Sequence, residues 1–130
     1  MTLTDLVRQA EGDNEFYLSG KRTESYLAEA LKQLPDELGL QVRRLQPKYS
    51  NQVLLYVLAC SAFYPGREAE AAKIALRSLA SGGLVPAGSY FFRAQRRAYE
   101  KRVASGTRHN PEYLADAFDN LGHVRRPAIA

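Results

Sequence analysis

The stretch Tyr90–Arg102, YFFRAQRRAYEKR, holds the densest set of side chains able to grip a charged ligand. At 100° per residue, Arg93, Arg97 and Lys101 recur at i, i+4 and i+8 and share one face of a helix, with Arg96 on its flank. Cations spaced about 6 Å apart along a helix can follow a row of phosphates. A guanidinium can also hold two phosphate oxygens at once. Phe91, Phe92, Gln95, Ala98, Tyr99 and Val103 fall on the opposite side and are expected to bury. Arg102 falls near that apolar side. It is expected to pair with a carboxylate from the acidic N-terminal region, the alternative being that its long stem carries the charge out past the core.

Any soluble amphipathic helix needs a polar outer face, so the ridge gains meaning only from its surroundings. Arg43, Arg44, Lys48, Arg108, Arg125 and Arg126 also lie in the C-terminal two thirds. Residues 1–40 carry four Lys/Arg against eight Asp/Glu, and residues 41–130 carry fourteen against six. An acidic head is joined to a basic body, which suits docking on a polyanion or head-to-tail association of copies. The candidate contacts for nucleic acid or another polyanion are Arg93, Arg96, Arg97, Lys101, Arg43, Arg44 and Arg108. No helix-turn-helix spacing, aromatic RNA-binding signature or zinc spacing accompanies them, so binding is expected to read backbone charge and shape.

Other chemistry finds little support. Glu112, Asp116, Asp119 and His123 recur on one helical face, but a solvated face explains them and no metal ligand is assigned. Cys60 is the single cysteine and sits in the most apolar segment, where a thiol serves as a small core hydrophobe. No glycine-rich phosphate loop, nucleophile elbow, HExxH or CxxC is present, and both histidines lie near the C-terminus. No catalytic residue, cofactor or metal is therefore expected, and the chain reads as non-enzymatic.

The elements that must position these residues are helical. Ser50–Ser81 reads as a central hairpin: Asn51 caps a helix carrying Val53, Leu54, Val57, Leu58, Cys60 and Ala62, Pro65-Gly66 turns the chain, and a second helix runs to Ala80. Before it, Thr2 and Asp5 start a helix with Leu3, Leu6, Val7 and Ala10 inward. Asp13–Ser19 allows another turn or two, and Thr23 begins a helix with Leu27, Leu31 and Leu34 inward. Pro35-Asp36-Glu37 opens a helix through Leu38, Val42 and Leu45, although a short strand over Leu40–Leu45 competes. After the hairpin, residues 81–89 form a loop, Ser89 caps the basic helix, and Asn110-Pro111-Glu112 starts a last helix with Leu114, Ala117, Phe118 and Leu121 inward.

The expected fold is thus all-α, a single compact bundle of six or seven short helices organised on the hairpin Asn51–Ala80. Residues 1–122 form the domain and 123–130 a disordered basic tail. The 130 residues suffice for a core without disulfides. The N-terminus lacks the apolar run of a secretory signal, and the run Val53–Tyr64 is too short to span a bilayer, so the expectation is a cytoplasmic protein without a membrane contact. The function expected is a binding module for nucleic acid or another polyanion, as a small subunit of a larger assembly. The alternative is a protein-interaction adaptor or self-associating subunit that uses its acidic and basic surfaces.

Overall fold

Apolar residues recurring every three to four positions build a helical bundle around one central helix. The computed structural model describes residues 2–12, 22–81 and 88–118, with side chains described for all of these except 10–12 and 88–91. Its helices are α1 (Leu3–Gly12), α2 (Thr23–Lys32), α3 (Asp36–Leu45), α4 (Asn51–Ala59), a 3-10 turn (Cys60–Phe63), α5 (Glu68–Ala80) and α6 (Gly88–Ser105). A further helical segment, α7, covers 112–118. No strand occurs among the described residues, so the all-α expectation holds and the competing strand over 40–45 is instead part of α3.

The hairpin is the centre of the molecule. Seven consecutive residues, Leu54 through Cys60, are buried, so α4 is covered on every side, by α2, α5 and α6. Its cap is Ser50, whose hydroxyl accepts from the Val53 amide at 3.2 Å, and not the Asn51 expected from the sequence. Both residue types suit the position, but Ser50 has the extended backbone that a cap requires and Asn51 is already helical. At its far end α4 tightens into the 3-10 turn, where Ser61 Oγ donates to the Leu58 carbonyl at 2.6 Å. The chain then reverses over Tyr64-Pro65-Gly66-Arg67. The Arg67 amide donates to the Tyr64 carbonyl at 2.9 Å and Gly66 has φ +80°, the positive φ that a turn with proline second and glycine third demands.

The flanking helices follow from their sequence patterns. Thr2 and Asp5 exchange backbone-to-side-chain hydrogen bonds of 3.3 and 3.1 Å in a reciprocal cap that begins α1. Hydrogen bonding from Thr2 to the carboxylate, its hydroxyl first and its amide second, holds the Asp5 carboxyl below the usual carboxylate range. Leu3, Leu6 and Val7 of α1, Leu27 and Leu34 of the α2 region, and Leu38, Val42 and Leu45 of α3 are buried as the spacing predicts. Tyr49 Oη donates to the Leu79 carbonyl at 3.0 Å, tying the segment before α4 to the end of α5. Tyr56 and Tyr64 belong to the core. Of the loop expected over 81–89, residues 82–87 lie outside the described residues, and α6 already begins at Gly88, so Ser89 is helical and not its cap. The expected turns over Asp13–Ser19, Leu121 and the tail 123–130 also lie outside the described residues.

Candidate nucleic-acid interface

Helix α6 has two faces of opposite character. Its inner stripe is Phe92, Gln95, Tyr99 and Arg102, spaced i, i+3, i+7 and i+10; Phe92, Gln95 and Arg102 are buried and Tyr99 is half-buried. Val103, expected inside, is 55 % exposed. One residue is 100° of helix. A stripe that runs through Arg102 turns Val103 toward solvent.

Arg102 is only 7 % exposed, and its Nη2 donates at 3.0 Å to the carbonyl of Phe63, where the 3-10 turn ends. The guanidinium lies over the rings of Tyr64, 4.8 Å from the centroid, and Tyr113, at 5.3 Å. No carboxylate stands at ion-pair distance among the described residues, so the expected pairing with an N-terminal acid is replaced by a carbonyl and two aromatic faces. The physical reason is local: the turn ends in a carbonyl without a helical donor, and a guanidinium brings donors on a plane that can stack. Arg102 Nε and Tyr64 Oη, both buried, have no hydrogen-bond partner among the described residues. Burial pushes the Tyr64 hydroxyl up to about 12, although the nearby guanidinium pulls the other way.

The outer face carries the predicted ridge. Arg93, Arg97 and Lys101 are exposed, and Arg96 is half-buried with its guanidinium 5.4 Å from the Phe92 centroid. Arg97 and Lys101 enter no ion pair among the described residues. The helix ends in a Schellman cap: the Thr107 amide reaches the Arg102 carbonyl at 3.0 Å, the Gly106 amide reaches Val103 at 3.3 Å, and Gly106 has φ +68°. Arg108 follows, exposed, and Asn110 Oδ1 then accepts from the Glu112 amide at 3.0 Å to begin α7, as its sequence predicts. Tyr113 of α7 rests against Arg102, so the buried cation joins α6, the 3-10 turn and α7.

The remaining candidates stand elsewhere. Arg43 and Arg44 are exposed on α3, which packs on α2 and α5, whereas α6 packs on α4 and the 3-10 turn. Arg43 lines an open groove of about 880 Å³ between α2 and α3, floored by Leu27, Leu31 and Val42 and edged by Glu24, Asp36 and Glu37. Leu40 in that groove is 54 % exposed. Glu37 is paired to Lys73 of α5 at 2.7 Å. The structure thus aligns the α6 cations and places Arg43 on another element, in a groove that Lys32, Glu24, Asp36 and Glu37 also line.

Sequence reasoning missed a second cleft, of about 370 Å³, between α1 and α6. Arg8, Arg96, Tyr99 and Glu100 line it, above Val7 and Phe63. Only α1 packing beside the 3-10 turn brings Arg8 near α6, and no local pattern signals it. Elsewhere, Cys60 is fully buried with its thiol donating to the Tyr56 carbonyl at 3.3 Å, and burial pushes its pKa far up, which suits a core residue. No group of three metal-ligating side chains occurs among the described residues; Asp119 and His123 lie outside them. No described helix is long and apolar enough to cross a membrane. No known family, no curated protein and no solved structure matches the chain.

Proposed function

We propose that this chain is a non-enzymatic binding module that holds the phosphate backbone of a nucleic acid on the outer face of α6, as a small subunit of a larger assembly. The observation that carries the reading is the alignment of Arg93, Arg97 and Lys101 in solvent on a helix whose other face is anchored in the core. Three cations held in register lose little freedom on meeting a row of phosphates, and each phosphate neutralised releases counterions. Binding of a mixed-sequence single strand should weaken with salt, with a log–log slope of about −2 for three contacts. Replacing Arg93, Arg97 and Lys101 together by alanine should abolish that binding while the helical circular dichroism is retained. A wild-type protein that binds no nucleic acid at low salt overturns the reading.

The α2–α3 groove favours a second reading, a protein-interaction adaptor. Its floor is apolar, its rim is charged, and Leu40 stands exposed inside it, features that suit an amphipathic helix from a partner or another copy. Sedimentation of the wild type and of Leu40→Asp tests self-association. A concentration-independent monomer in both removes the self-associating form of this reading.

A further inference from the structure

Helix α3 carries a face whose charges are opposite about its own midpoint. Leu38, Val42 and Leu45 are buried on its inner side, and Asp36, Glu37, Leu40, Arg43 and Arg44 are exposed on the other. At 100° per residue the four charges fall within about 60° of Leu40, which makes Leu40 the centre of that face. Both acids precede Leu40 and both arginines follow it, at offsets of −4, −3, +3 and +4. By the same arithmetic Asp36 and Arg43 share one flank, and Glu37 and Arg44 share the other. Acid at the start of a helix and base at its end also suit the dipole, which accounts for the signs but not for a leucine 54 % exposed between them.

A two-fold axis beside Leu40, perpendicular to α3, generates an antiparallel copy and keeps each flank on its own side. It sets Asp36 against Arg43 of the second copy and Glu37 against Arg44, each pair occurring twice. Asp36, Arg43 and Arg44 enter no ion pair among the described residues. Glu37 holds Lys73 through Oε1, and a carboxylate has a second oxygen to offer. The groove beside α3, about 880 Å³ with an apolar floor, has room for the second copy's leucine. A Cβ at Gly39 on its wall would meet nothing within 4 Å, so the α3 backbone borders open space there. A helix from an unrelated partner places no condition on the order of charges along α3, whereas a two-fold axis requires them to be complementary about their centre. Resting on the adaptor reading of the groove, we propose that its occupant is a second copy of this chain, with α3 packed antiparallel on α3 in a symmetric dimer. Such a contact closes on itself and stops at two. A helix of ten residues is about 15 Å long, so the contact is small and the expected Kd is about 10 to 100 µM.

Sedimentation equilibrium from about 5 to 300 µM protein, at about 50 mM salt, tests this. The wild type should approach a dimer and go no further. Asp36→Arg and Arg43→Asp should each weaken the dimer about tenfold, since each sets two like charges against each other across the axis. An equimolar mixture of the two variants should regain the wild-type association, because every reversed residue then meets its complement. Both positions are exposed, and circular dichroism checks that each variant is folded. A wild type that stays monomeric over this range overturns the dimer and leaves the groove to the helix of a different protein. A dimer that both variants retain, or that their mixture does not restore, overturns the α3 contact while self-association through another surface stands.

Discussion

The two faces of α6 use the same side chain for opposite ends. On the outer face, Arg97 stays in solvent, where a guanidinium keeps its hydration and remains available to an incoming anion. On the inner face, Arg102 gives up water for a carbonyl and two aromatic rings, and in return ties α6 and the 3-10 turn to α7. On the proposed function, identical chemistry serves as a binding group or an anchor according to whether the helix turns it out or in. The inner arginine should therefore govern stability and the outer ones affinity.

The largest expected effect tests the anchor. Arg102→Ala strips the Phe63 carbonyl of its donor and opens a void between Tyr64 and Tyr113, and should destabilise the protein by about 3 kcal/mol. Arg102→Met keeps the stem and removes the charge, and should cost about half as much. Urea denaturation measures both, and an alanine variant within about 0.5 kcal/mol of wild type would make the inner arginine no different from the outer ones.

The next effect concerns the ring beneath the anchor. Because burial raises the pKa of Tyr64 to about 12, the folded chain keeps a proton that the unfolded chain releases near 10. The stability this contributes is fully present below about pH 10, and is lost as pH rises toward about 12, on the order of 2 kcal/mol in all. Tyr64→Phe should remove that part of the alkaline loss. At about pH 8 it should leave stability unchanged or raised by up to about 1 kcal/mol, because the hydroxyl has no partner among the described residues. Urea midpoints of the two proteins at about pH 8 and pH 11.5 provide the comparison, and parallel losses would place the hydroxyl in water.

A smaller cost attaches to the turn that presents the Phe63 carbonyl. A methyl group at Gly66 would meet only open space, but the backbone there has a φ of +80°, so Gly66→Ala should cost about 1 kcal/mol through backbone strain alone. A thermal midpoint unchanged by this substitution would mean that the turn relaxes to another form. Smallest of all, the triple alanine variant at Arg93, Arg97 and Lys101 should change stability by less than about 0.5 kcal/mol. A larger loss would show the ridge to be part of the scaffold and would blur the contrast between the faces.

Much of this arrangement was legible in the order of residues. Leu38, Val42 and Leu45 announced α3 by spacing alone, and Arg93, Arg97 and Lys101 were placed outside by the same arithmetic. The errors were errors of one residue or of partner choice. Ser50 took the cap from Asn51, and Arg102 took the inward position near which Val103 was expected. Each misplacement separates adjacent residues of similar local suitability, a distinction that a periodic pattern draws only coarsely. The α1–α6 cleft had no local signal, since Arg8 and Arg96 are 88 positions apart and meet only through the packing of α1 beside the 3-10 turn.

By itself the sequence determined the helices, the central hairpin and the outward row of cations, because helical period, capping chemistry and turn preference act over a few residues. The tertiary structure alone decided that Arg102 lies inside against a carbonyl and two aromatic rings, that Arg43 lines the α2–α3 groove away from α6, and that two distant arginines share a hollow. Those outcomes depend on which surfaces remain after the helices pack, and burial and long-range neighbours are properties of the assembled core.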